Sequence, residues 1–371
     1  MLFYLTDSLI VPKTDPRFSG IRTAIYHLAV QVAEGNHAVI GDIDSISYFR
    51  EMFKDDFVAG PLFNKIYQNI AFEVVPSFIK YYVEVVLSAP ASRFQDDKKI
   101  VQVEYDRLIP LETTNKTSLV CEFLYDAEFY GFILKWYTRR LGVNVHCTFN
   151  VIDGGGGNTY MNIDKELKAG HITISILDTD YRYPVANNDP VPDSTYDQGI
   201  GIGDGNVLYN LLPLYVHELE NLVPLNYVDQ EFAEWTNHDA EYATKKVAFD
   251  YLKKDAENIL PFYDFKKGIK YNDDYRATPE LQNFAKKCYE LNDDKMALQP
   301  DFDAFVGGLA NKAYIYPELI GGTGTIKMAL KVINSGTVLE PDLYEFQRSN
   351  WEHIGSDMLN WCFSRKPEAI H

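Results

Sequence analysis

The chain has 371 residues, 46% hydrophobic and 24% charged, which excludes a disordered chain and, at ~100 to 200 residues per domain, predicts more than one folded unit. Its formal net charge of −18 gives a surface that repels phosphate, which excludes a protein that coats nucleic acid through a general basic face. Four cysteines without paired spacing exclude a zinc framework, and no run reaches the ~18 apolar residues of a membrane helix, so the expectation is a cytoplasmic chain with packed free thiols and no membrane contact.

In chain order, the first hundred residues read mainly as helices. "GIRTAIYHLAVQVAEG" has apolar residues at helical spacing and "PSFIKYYVEVVLS" follows it less cleanly. "APASRFQDDKK" is small, polar and charged, and reads as a loop. From residue 116 the rhythm changes. "TSLVCEF" reads as a strand, and "DAEFYGFILKWYTRRLG" as a helix with basic residues in its last turn and a terminal glycine. "VNVHCTFNVI" is a second strand, "NIDKELKAG" a short helix and "HITISILDTD" a third strand. This βαβαβ order predicts parallel strands with right-handed crossovers, covered by helices. "NNDPVPDSTYDQGIGIGDGN" is a long loop, "VLYNLLPLYVHELENLV" is apolar again, and the chain beyond about residue 230 reads as helical. Three segments result: a mainly helical region over 1–115, an α/β domain over 116–230 and a mainly helical region over 231–371.

The acidic residues of the middle segment carry the chemical signal. Glu122 closes the first strand and Asp126 opens the helix after it. Asp178 and Asp180 end the third strand, where an extended backbone would put both on one face with Cα atoms ~6.6 Å apart. Two like charges so placed raise each other's pKa unless a cation offsets them. The C-terminal ends of parallel strands are also where open α/β sheets bind ligands. In "LYVHELENLVP", Glu218 and Glu220 alternate within an apolar run, where isolated charges are costly. Glu122, Asp126, Asp178, Asp180, Glu218 and Glu220 are therefore the candidate metal ligands, and an all-oxygen set suits Mg²⁺ or Mn²⁺.

Other features compete less well. "DGGGGNTY" lies between a strand and a helix but lacks P-loop spacing, and reads as a turn that lets the chain pass close to the acidic rim. "GIGIGDGN" sits in a loop and does not open a helix, so it is no dinucleotide fingerprint. His217 reads as a hydrogen-bonded structural histidine, with a role as base or ligand as the alternative. Lys266 and Lys267 read as surface residues or as positive donors to a phosphate, and Lys267 is the candidate for the catalytic role.

"LVCEFLYDAEFYGFIL" resembles the Toprim motif in which a glutamate closes the first strand, and "ISILDTDYRYP" resembles its D-x-D motif. "HELENLV" is similar to the third acidic motif of the nuclease-like branch, and the likeness covers roughly residues 116 to 225. The family is that of the Toprim-domain nucleases of phage-defence operons, PARIS-like systems among them, with overcoming-lysogenisation nucleases as more distant relatives. The resemblance implies a Toprim-like parallel sheet flanked by helices and a metal-dependent endonuclease cleaving DNA or RNA. It implies Glu122 as ligand or general acid/base, Asp178 and Asp180 as ligands, and Glu220 as a supporting ligand. The implied partners are an ABC-type ATPase, the nucleic-acid substrate and a second copy in a homo-oligomer. Where many relatives have glycine after the first glutamate this chain has Phe123. That departure favours the alternative of a non-catalytic Toprim-fold sensor or docking subunit.

Overall fold

The computed structural model describes residues 1–69, 74–88, 90–182, 194–236, 240–255, 257–271, 276, 278–290, 301–309, 314–315, 319 and 322–367. Part of the Pro-, Asp- and Gly-rich loop, up to residue 193, lies outside them. The chain forms two compact units, each discontinuous in sequence. The first comprises Met1–Ile176, Gly199–Leu212 and His353–His371, and the second Leu177–Gln198 and Pro213–Glu352.

The first unit opens with β1 (Leu2–Leu5), α1 (Phe18–Ala33), β2 (Ala38–Gly41), α2 (Ile43–Met52), α3 (Ala59–Gln68), β3 (Tyr81–Val86), β4 (Ser92–Gln95) and β5 (Lys98–Glu104). The five strands make a sheet in the order β2-β1-β3-β5-β4, parallel throughout except for β4 against β5. Helix α1 buries Ile21, Ile25, Leu28 and Val32 along one stripe, each such side chain contributing roughly 1.5–3 kcal/mol when fully removed from water.

This sheet corrects two local expectations. "PSFIKYYVEVVLS" contains the strand β3 and is not helical, because all six residues Tyr81–Val86 are buried between β1 and β5. A strand covered on both faces loses its alternation and can mimic a buried helix in sequence. Its one charge, Glu84, is held by both guanidinium nitrogens of Arg93 at 2.5 and 2.8 Å and by the Gln102 amide at 3.0 Å. "APASRFQDDKK" is not a plain loop either. It carries β4 and a tight hairpin in which Asp96 and Asp97 both take positive φ, 47° and 63°, the backbone that two-residue hairpins require.

The expected βαβαβ unit is present: β6 (Ser118–Cys121), α4 (Leu124–Arg140), β7 (His146–Cys147), β8 (Asn150–Asp153), α5 (Thr159–Lys168) and β9 (Thr173–Leu177). The stretch read as one second strand is broken into β7 and β8, and only β8 joins this sheet. Strand β6 pairs in parallel with β8, Cys121 opposite Asp153, and with β9, Val120 opposite Ser175. After α6 (Thr195–Gly199), β10 (Tyr209–Pro213) completes the order β10-β9-β6-β8. The mixed α/β class with a helix-flanked parallel sheet is thus as expected.

Helices dominate the described remainder: α7 (Leu225–Thr236), α8 (Ala240–Asp255), then β11 (Ile269–Lys270), α9 (Pro279–Glu290), α10 (Phe302–Gly307), β12 (Tyr314–Ile315), α11 (Gly322–Ser335), α12 (Glu345–Cys362) and β13 (Phe363–Ser364). The last residues close the first unit. The Thr117 hydroxyl donates to the Trp361 carbonyl at 2.7 Å, the Asn360 side-chain oxygen accepts the Lys80 and Tyr81 N–H groups, and β13 pairs with β7. Among the described residues no helix is long and apolar enough to cross a membrane.

Candidate functional site

In the first unit, Glu122 is the residue directly after β6 and is half-buried. Its carbonyl accepts the Gly155 and Gly156 N–H groups at 3.0 and 3.1 Å, while the Cys121 carbonyl accepts that of Gly154 at 2.8 Å. The glycine run is therefore a turn bound to the end of β6, with three of its amides engaged by backbone carbonyls. Gly154 has no room for a side chain, since a Cβ there would lie 2.3 Å from the Thr159 hydroxyl and 2.4 Å from the Cys121 carbonyl. Asp126 accepts the Phe123 N–H at 2.9 Å, where a carboxylate satisfies the first turn of α4 and its dipole. Phe123 itself is exposed.

In the second unit, Asp178 is the first residue beyond β9 and Asp180 has φ of +51°. The shared-face argument from an extended strand does not hold here, because the strand stops at Leu177. The reason lies in Thr179. Its side chain is buried, with the hydroxyl 2.8 Å from the Leu214 carbonyl and 3.0 Å from that of Val216. That anchor turns the chain, and aspartate tolerates the left-handed backbone that follows. The Asp178 carbonyl accepts the Tyr196 N–H at 3.1 Å.

The strongest cluster of the second unit is built from two stretches far apart in sequence. Asn221 joins them: its amide donates to the Leu260 and Tyr263 carbonyls, both at 3.0 Å, and its side-chain oxygen accepts the Glu218 N–H. Gln347 and Trp351 of α12 hold the same stretch through the carbonyls of Asn221, Leu222 and Val223. His217, Glu218 and Asp264, all buried, place one ligand atom each within 4.8 Å of one another. The His217 Nδ1–H donates to the Tyr181 carbonyl at 2.8 Å, and Nε2 lies 3.5 Å from Asp264 Oδ2. Asp264 Oδ1 accepts the backbone N–H groups of Lys266 and Lys267. The Lys266 ammonium lies 2.8 Å from Glu218 Oε2 and 3.0 Å from Glu220 Oε1.

The electrostatics follow from burial and neighbours. Burial, and then the charge of Glu220, push the Glu218 carboxyl up to about 8. For His217, burial would lower the pKa, but the Asp264 hydrogen bond and the charges of Glu218, Asp264 and Asp180 hold it above its ordinary value. Burial would raise Asp264, yet its bond to His217 keeps it below the usual carboxylate range. Burial would also lower Lys266, and Glu220 and Glu218 outweigh that.

No protein-family model, curated protein or solved structure matches the chain.

Glu218 and Glu220 thus share one centre, and Asp180 acts on it electrostatically through His217. Lys266 contacts these carboxylates, while Lys267 is exposed and its charge acts on Asp264. Sequence reasoning missed Asp264. Its signal is a lone carboxylate within the apolar, aromatic run "PFYDF", where a buried charge needs partners. Asp178 and Asp180 are half-buried carboxylates, the donor chemistry that Mg²⁺ or Mn²⁺ takes. Glu220 is paired with Lys266.

Proposed function

We propose that the chain is a divalent-metal-dependent Toprim-type nuclease, hydrolysing phosphodiester bonds of DNA or RNA in antiphage defence under the control of an ABC-type ATPase. The observation that carries this reading is topological: Glu122 directly follows β6, Asp178 directly follows β9, and β6 and β9 are adjacent parallel strands. The C-terminal ends of such strands are the ligand-binding edge of open α/β sheets.

In this reading Asp178 and Asp180 hold Mg²⁺ or Mn²⁺, and Glu122 serves as ligand or general base. The cation, when bound, lowers the pKa of an attacking water and neutralises charge on the leaving oxygen. Lys267, exposed beside Asp264, offers a positive donor to the phosphate. The surrounding acidity makes the activity strictly dependent on metal, because carboxylates repel phosphate until a cation reverses the local sign. The glycine runs lack P-loop spacing, so ATP hydrolysis falls to the partner.

The test is cleavage of labelled DNA and RNA in Mg²⁺ or Mn²⁺, with and without an ABC-type ATPase. Wild type should cut, and Asp178→Ala should lower the rate by at least ~10³-fold, the scale on which a lost charge-stabilising group acts. Identical product patterns for the two proteins overturn the proposal. One observation favours a second reading, a sensor or docking subunit without catalysis: Lys266 already neutralises part of the Glu218 and Glu220 charge. Under that reading, calorimetric titration with Mg²⁺ gives no heat that depends on Asp178.

A further inference from the structure

We infer that His217, Glu218 and Asp264 form a site for a borderline divalent cation of the Zn²⁺ or Co²⁺ class, built from residues other than Asp178 and Asp180. The inference stands apart from the nuclease reading, because it rests on this cluster alone.

Four observations converge. The first is distance. Ligand atoms on one tetrahedral ion at ~2.0–2.2 Å lie ~3.3–3.6 Å apart, and the three here lie within 4.8 Å of one another. A side-chain movement of about an ångström closes the site.

The second is the orientation of His217. A carbonyl can only accept, so the contact with Tyr181 puts a proton on Nδ1 and leaves the lone pair of the neutral ring on Nε2. That lone pair faces a carboxylate oxygen at 3.5 Å. Two acceptors face each other stably only with a proton or a cation between them. Donation of the far ring N–H to a backbone carbonyl is also how metal-bound histidines are oriented.

The third is an orphan atom. The Glu218 side chain is 9% exposed, and its Oε1 has no hydrogen-bond partner among the described residues. Its other oxygen is held by Lys266. A buried carboxylate oxygen left unpaired is costly, and coordination would satisfy it. Asp264 shows the same division, with Oδ1 fixed by two backbone amides and Oδ2 turned towards His217.

The fourth is charge. With the ligands deprotonated, as coordination requires, Glu218, Glu220 and Asp264 bring three negative charges, Lys266 brings one positive, and a doubly charged ion beside a neutral His217 closes the balance. The donor set selects the ion. One imidazole with two carboxylates suits Zn²⁺ or Co²⁺, whereas Mg²⁺ prefers oxygen alone.

The experiment uses the full chain, stripped with chelator and titrated with Co²⁺ and then with Zn²⁺. Visible d–d absorption reports on Co²⁺ binding, and unfolding temperature reports on the fold. One Co²⁺ per chain should bind, giving way to Zn²⁺ but persisting in excess Mg²⁺. Glu218→Gln and His217→Gln should each weaken it at least ~100-fold, and Asp178→Asn should leave it unchanged. Absence of a d–d spectrum in wild type overturns the inference and leaves a protonated His217–Asp264 pair as the occupant. Unchanged binding in a folded Glu218→Gln protein means an adventitious ion only and also overturns it. Should His217→Gln fail to fold, Glu218→Gln decides alone. Cleavage activity is not the readout, so failure here and failure of the nuclease proposal are separable.

Discussion

Lys266 shows how a single side chain can hold a polar cluster in an apolar setting. Its ammonium joins Glu218 and Glu220, whose side chains are otherwise removed from water. Lys266→Ala would leave both carboxylates buried and without that partner. Breaking a fully buried pair costs ~3–5 kcal/mol, and because the Lys266 side chain is one-third exposed the expected loss is about 2 kcal/mol. Urea unfolding should show it as a lower midpoint at unchanged slope, and adding Glu220→Gln should recover part of the loss. Half of this cluster was legible in the sequence. Glu218 and Glu220 stand out because two charges interrupt an apolar run. Asp264 does not, and Lys266 reads only as a surface residue or phosphate donor, since nothing in a linear pattern says that "YDFKK" folds back onto "HELEN". That pairing depends on Asn221 reaching two carbonyls of the distant stretch.

At the level of elements, α7 and α8 are joined by charges. Lys246 and Lys253 each bridge Asp229 of α7 and Asp250 of α8 at 2.6–3.1 Å. Burial would raise the Asp250 carboxyl, but its bonds to Lys246 and Lys253 hold it below its usual value. A depressed folded-state pKa contributes stability that is present above the unfolded value, ~3.9, and is lost as pH falls through the folded one. Thermal melts should therefore show the second unit weakening below about pH 4. Asp250→Asn should flatten that dependence, and the effect should shrink in high salt. The elements themselves were legible where chemistry marks their ends. Helix α4 stops at Arg139 and Arg140, before Gly142 at φ +66°, and α5 stops before Gly170 at φ +82°. Strand β3 was not legible, because burial on both faces erases the alternation that identifies strands. The hairpin of β4 and β5 was hidden because two aspartates supply the positive-φ turn where Asn-Gly would have announced it.

For the whole molecule, the charge of −18 sets the terms of any encounter with nucleic acid. In chelator at ~0.15 M salt, where screening acts beyond ~8 Å, labelled DNA or RNA should show no saturable binding by fluorescence anisotropy. Binding should appear when divalent cation is added. Tight association in chelator would reveal a basic face that the composition does not suggest and would sink this expectation. The two-unit organisation carries a consequence of its own. Because Asn360, Trp361 and β13 complete the first unit, its opening strands leave the ribosome early yet stay unfinished while residues 213–352 are translated. The unit that begins the chain can be the last to close, and during that interval its unsealed sheet is what a chaperone or a protease would meet.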